Sequence, residues 1–118
     1  MAKILVVDDA QFLRLRITKM LSLSGHDTLE AENGKRAVEV YQTSHPDVVL
    51  MDVTMPEMDG LAALKQIRAI DTDARIVMLT ALGQESLVIE AIRAGAKDFI
   101  VKPFEASRVL SAINKIIS

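Results

Sequence analysis

The sequence predicts a three-layer α/β/α sandwich built on a five-stranded parallel sheet. Two observations carry that expectation. Apolar runs of strand length alternate with amphipathic stretches of helix length, which is the pattern of βα units. Three of those runs, Ile4-Leu5-Val6-Val7, Val48-Val49-Leu50-Met51 and Ile76-Val77-Met78-Leu79, are continuously apolar, as strands covered on both faces are. A length of 118 residues suits one domain with one core, spanning residues 1–118.

The strands are expected at about 3–7, 27–31, 47–51, 75–79 and 98–101, and the helices at about 11–24, 34–44, 60–70, 84–94 and 106–117. Asp27-Thr28-Leu29-Glu30-Ala31 is polar and alternating, which suits an edge strand. The first helix carries Leu13, Ile17, Met20 and Leu21 at helical spacing, leaves Arg14, Arg16 and Lys19 for solvent, and is placed to end at Gly25. Pro56 and Gly60 delay the third helix until after the loop that follows Asp52. The last helix sets Val109, Leu110, Ile113, Ile116 and Ile117 on one face. Right-handed βα connections then stack helices on both sides of the sheet. The flavodoxin-like strand order 2-1-3-4-5 is a fold-level expectation and not a property of the pattern.

Composition narrows the function. An aromatic content of 3% makes the core aliphatic, and the formal net charge of -2 offers no basic surface for nucleic acid. With no cysteine, disulfides and thiolate zinc sites are excluded. The N-terminus has no signal-peptide layout and no apolar run approaches membrane-spanning length, so a cytoplasmic location away from membranes is expected. His26 and His45 have no ligand spacing to each other or to the acids and receive no role. The methionines read as core filler, except Met55 and Met58, which fall in a loop expected to be partly exposed.

The chemistry gathers at the strand ends. Asp8 and Asp9 follow the first apolar run, Asp52 the third, Thr80 the fourth and Lys102-Pro103 the fifth. In an open parallel sheet those carboxyl ends share one edge, where ligands bind. Two adjacent acids are costly to bury together without a cation, and Mg²⁺ suits a site of carboxylates and phosphate oxygens. Asp52 is placed to act as a nucleophile forming an acyl phosphate, with Mg²⁺ and the Lys102 ammonium neutralising the charge. Taken singly, Asp8-Asp9 also reads as a solvated pair or a helix N-cap, Thr80 as a cap or turn residue, and Lys102 as a surface lysine. A cis peptide before Pro103 would aim Lys102 inward.

With these residues in order, the chain resembles the receiver domain of two-component response regulators along its whole length. The resemblance rests on Asp8-Asp9, on Asp52 with Met55-Pro56-Glu57-Met58-Asp59-Gly60, on Thr80-Ala81 and on Lys102-Pro103-Phe104. Gly83-Gln84-Glu85 and Ala94-Gly95-Ala96-Lys97-Asp98-Phe99 look most like the stand-alone chemotaxis regulators of the CheY kind, themselves a known case of the 2-1-3-4-5 order. The resemblance implies a phosphoacceptor signalling protein, not an enzyme beyond weak self-phosphorylation and self-dephosphorylation. Asp52 would accept a phosphoryl group from a sensor-kinase phosphohistidine. Asp9 and Asp52 would bind Mg²⁺ directly, Asp8 through water, and Thr54 through its backbone carbonyl. Lys102 and Thr80 would contact the phosphoryl oxygens, and Phe99 would be the switch aromatic.

The implied partners are a histidine kinase or phosphotransfer protein, a downstream protein on the face of helix 4, strand 5 and helix 5, and a phosphatase. A monomer that binds neither nucleic acid nor membrane is expected. The resemblance also implies that Thr54 and Leu82, two places after Asp52 and Thr80, influence loss of the phosphoryl group; neither is a carboxylate or amide, so slow self-dephosphorylation is expected. The alternative is a Mg²⁺-dependent aspartyl-phosphate phosphohydrolase, whose Asp-x-Asp-x-Thr arrangement is here Asp-Asp-Ala-Gln. A flavin binder is a third reading. It would need a phosphate loop where Asp8 and Asp9 stand.

Overall fold

A computed structural model describes residues 2–53, 55 and 58–117. The element order is β1 (Lys3–Val7), α1 (Gln11–Leu23), β2 (Asp27–Ala31), α2 (Gly34–Ser44), β3 (Val48–Asp52), α3 (Gly60–Ile70), β4 (Ile76–Thr80), α4 (Glu85–Arg93), β5 (Asp98–Val101) and α5 (Ala106–Ile117). The strands form one parallel sheet of order β2-β1-β3-β4-β5. The expected sandwich, strand order and edge position of β2 are all found.

Strand alternation divides the core in two. Leu5, Val7, Val49, Met51, Ile76 and Met78 face α2 and α3, where Val38, Tyr41, Leu64 and Ile67 meet them. Ile4, Val6, Leu50, Val77, Leu79 and Ile100 face α1 and α5, against Ile17, Leu21, Val109 and Ile113. Every residue of β3 and β4 is buried, which accounts for their unbroken apolar runs.

The differences from expectation have local causes. β3 and β4 each begin and end one residue later than predicted, because Asp52 and Thr80 still pair with Leu79 and Val101. The two polar residues therefore close their strands; they do not follow them. Met55 is buried in the core below α2 and α3, so it is not a partly exposed loop residue; Met58 is half-buried against the same core. Arg14 is not a solvent residue: its side chain is 13% exposed and paired with Glu30.

Helix α1 ends as its glycine predicts. Gly25 has φ 89°, its N–H donates to the Ser22 carbonyl, and the His26 N–H donates to the Leu21 carbonyl. This pair of bonds satisfies carbonyls that the helix end leaves open. The two histidines have backbone duties at the far edge of the sheet. His26 Nδ1 accepts from the Ala2 N–H at 3.2 Å, and His45 caps α2 in the left-handed region.

Candidate functional site

The parallel sheet carries the ends of β1, β3, β4 and β5 to one edge. There Asp8, Asp9 and Asp52 offer carboxylate oxygens that all lie within 4.8 Å of one another. Lys102 reaches them from the end of β5, its Nζ 3.2 Å from Asp8 Oδ2 and 3.3 Å from Asp52 Oδ1. Thr80, the last residue of β4, is buried. The Lys102–Pro103 peptide is cis, as anticipated.

The acid pair is divided. Asp8 is 1% exposed, whereas Asp9 lies in solvent. Asp8 is held at four points. Its N–H donates to the Ala31 carbonyl, its carbonyl accepts from Arg14 Nη1 at 2.6 Å, Oδ1 accepts from the Ala10 N–H at 2.9 Å, and Oδ2 faces Lys102. Asp8 is thus no helix cap. The N-cap of α1 is Ala10, which has no side-chain oxygen to offer the first turn. Thr80 likewise closes a strand, and the N-cap of α4 is Gln84.

The loop after Asp52 is fastened at both ends. A Cβ on Gly60 would overlap the carbonyl oxygen of Asp52, so only glycine permits α3 to start so near β3. The Gly60 N–H donates to the Val53 carbonyl at 2.7 Å, and the Gly34 N–H at the start of α2 donates to the Met58 carbonyl at 2.9 Å. Asp59 caps α3 by accepting from the Ala62 N–H. Thr54, named above as a carbonyl ligand, lies outside the described residues, as do Pro56 and Glu57.

Charge decides what this edge can hold. Three carboxylates face one described ammonium, leaving two negative charges in excess, the complement of a divalent cation. The donors are all hard carboxylate oxygens, which suit Mg²⁺. Two of the acids are buried, where unbalanced like charges are most costly. The donor set therefore fits Mg²⁺.

Beside the site, α4 packs loosely. Ala91 is buried, Leu87 and Val88 are half-buried, and Ile89 and Ile92 are exposed. A groove of about 500 Å³ lies between this helix and the ends of β4 and β5, lined by Thr80, Val88, Ile89, Ile92, Phe99 and Val101. Phe99 is 38% exposed. In the β4–α4 loop, Gln84 Oε1 accepts from the Ala81 N–H at 2.7 Å, a contact sequence reasoning missed. Leu82 is 80% exposed and does not cover the acids.

The profile of the response regulator receiver domain matches residues 4–114. The chain belongs to that family. Its relatives include the chemotaxis protein CheY of Bacillus subtilis, 59% identical over 117 residues and covering 98% of either chain. The chemotaxis protein CheY of Thermotoga maritima is 51% identical over 115 residues, 97% of this chain and 96% of that protein. Among solved structures, the CheX–CheY–BeF₃–Mg²⁺ complex from Borrelia burgdorferi superposes with a TM-score of 0.93 at 36% identity, covering 99% of this chain and 90% of that one. The receiver domain of NtrX from Brucella abortus gives 0.92 at 34% identity, over 97% of both chains. This is a CheY-like receiver, a signalling domain of two-component systems and not a classical enzyme. Among the described residues, no helix is long and apolar enough to cross a membrane.

Proposed function

We propose that this receiver is a stand-alone response regulator of chemotaxis in the cytoplasm, switched by Mg²⁺-dependent phosphorylation of Asp52. The observation that carries the reading is the Lys102 ammonium lying between Asp8 and Asp52, with Asp9 within ligand reach of both acids. An Asp52 carboxylate oxygen attacks the phosphorus of a phosphohistidine on a sensor kinase or phosphotransfer protein. The new P–O bond forms as the P–N bond breaks, and the departing imidazole nitrogen takes a proton from water. Lys102 draws charge from the phosphoryl oxygens as it moves, and Thr80 donates its hydroxyl to one of them. Asp9 and Asp52 would hold the metal directly and Asp8 through water. Bound Mg²⁺ supplies the charge neutralisation that lets one anion attack another.

The output follows from the loose α4 region. Movement of Thr80 toward a phosphoryl group vacates space in the groove it lines, and Phe99 can repack into it. Phe99 has no hydroxyl, so the switch is a change of packing and makes no new hydrogen bond. The face of α4, β5 and α5 then binds a protein partner. Likeness to a CheY solved with CheX supports a separate phosphatase partner, as does the absence of an acid or amide at Leu82 and Thr54. A phosphotransfer profile against the organism's phosphorylated histidine kinases tests the proposal. One kinase should transfer rapidly and stoichiometrically, and transfer from none of them would contradict it.

A further inference from the structure

We infer that Arg14 is a positioning residue for the metal site, acting through the Asp8–Asp9 peptide; the inference rests on the proposed function. Arg14 closes the first turn of α1, and its side chain is 13% exposed. Its Nη1 donates to the Asp8 carbonyl oxygen at 2.6 Å, while its Nε donates to Glu30 Oε1 at 2.8 Å. The carbonyl it holds belongs to the peptide unit that joins Asp8 to Asp9. Fixing that plane fixes the direction in which Asp9 leaves the strand. Asp8 is already secured by Ala31, Ala10 and Lys102, but Asp9 is exposed and inherits its orientation from this peptide.

Glu30 has the complementary part. It is on β2, where Val6 pairs with it one residue before the Val7–Ala31 step, so β2 ends beside the acid pair. Its carboxylate takes up the Arg14 charge and keeps the guanidinium fork aimed at the Asp8 carbonyl. The polar, alternating β2 thus places an acid where the site needs an anchor for an arginine. A planar guanidinium can hold both acceptors at once, and a lysine cannot reproduce that fork. Groups that orient metal ligands typically matter to affinity by roughly 10-fold to 100-fold.

The sign of the effect separates positioning from simple electrostatics. Deleting a cation near a metal site tightens a divalent cation through Coulomb's law. Deleting a positioning group weakens it. Mg²⁺ is titrated into unphosphorylated wild type, Arg14→Met, Arg14→Lys and Glu30→Gln, followed by the amide signals of residues 8–10, with thermal unfolding recorded without Mg²⁺. Arg14→Met should bind Mg²⁺ roughly 10-fold more weakly, and Arg14→Lys should not restore wild-type affinity. Glu30→Gln should fall between the two limits, and it decides the matter if Arg14→Met does not fold. Mg²⁺ affinity equal to or tighter than wild type in these variants, with only the melting temperature lowered, overturns the inference. A wild type that does not respond to Mg²⁺ overturns the proposed function itself, and this inference with it.

Discussion

Lys102 and Asp52 meet at 3.3 Å although β4 separates their strands in the sheet. The long lysine side chain crosses the end of β4, where Thr80 is buried between them in strand order. It also reaches Asp8, just past the end of β1, so one ammonium links three non-adjacent parts of the sequence.

Lys102→Met should therefore have two opposite effects. Removing the ammonium leaves more negative charge for Mg²⁺, and affinity should rise by up to about tenfold, on the order of 1 kcal/mol. Phosphotransfer should slow by roughly 100-fold, because a donor to the phosphoryl oxygens is gone. Titration calorimetry and transfer kinetics on the same preparation measure both. Weaker Mg²⁺ binding together with unchanged transfer would contradict this reading.

The acid pair should behave asymmetrically. Asp8 spends its carboxylate on Ala10 and Lys102, whereas Asp9 is exposed. Asp9→Ala should thus weaken Mg²⁺ binding more than Asp8→Ala. In the absence of metal, Asp9→Ala should be at least as stable as wild type, since it relieves repulsion. Asp8→Ala should be less stable, because it leaves Lys102 with Asp52 alone of its two carboxylates and takes the acceptor from the Ala10 N–H. Equal Mg²⁺ affinity in wild type and Asp9→Ala would rule out the site.

The switch prediction rests on the groove of about 500 Å³ beside Thr80, which is large enough for a phenyl ring. With beryllofluoride and Mg²⁺ as a phosphoryl mimic, amide signals at residues 81–92 and 98–101 should shift. They should do so by shifting a pre-existing equilibrium, so a minor fraction of the switched form is expected without the mimic. Changes confined to the loops around Asp9 and Asp52 would show that no switch reaches Phe99.

Most of the site was legible because it lies at strand ends. A continuous apolar run announces a buried parallel strand, and the next polar residue falls on the ligand-binding edge. That reasoning located Asp8, Asp52, Thr80 and Lys102 without any contact information. It placed β3 and β4 one residue early because a buried Asp or Thr reads as a loop. It also assigned Arg14 to solvent, since helical spacing says which face a residue is on but not whether an acid across the strand end will capture it. The signal that could have found the pair is Glu30, the acid of β2 that lies next to its last residue and so near the acid pair. The Gln84–Ala81 bond and the Tyr41–Asp71 bond were illegible for the same reason, as both depend on loop paths.

That last pair gives a pH prediction away from the site. Tyr41 is buried and donates its hydroxyl to Asp71 Oδ2 at 2.7 Å. Burial, then the hydrogen bond to Asp71 and its negative charge, hold the phenol well above its ordinary value of 10.0. The bond from Tyr41, with a second from the Asp73 N–H, holds Asp71 below the usual carboxylate range. Above pH 10 the unfolded chain loses the tyrosine proton and the folded chain keeps it, so Tyr41 stabilises fully below that pH and progressively less above it. Tyr41→Phe should cost about 1 kcal/mol at neutral pH. The gap in melting temperature between wild type and Tyr41→Phe should narrow as pH rises past 10. A gap that stays constant would show that the Tyr41 proton is not linked to folding.

The central claim is that Asp52 is the phosphoryl acceptor, and one mass measurement tests it. With Mg²⁺ and a small acyl phosphate donor, the intact protein should gain the mass of one phosphoryl group, lost on treatment with base or hydroxylamine. Asp52→Ala should gain none. A variant without Asp52 that is labelled as fully as wild type would contradict the account.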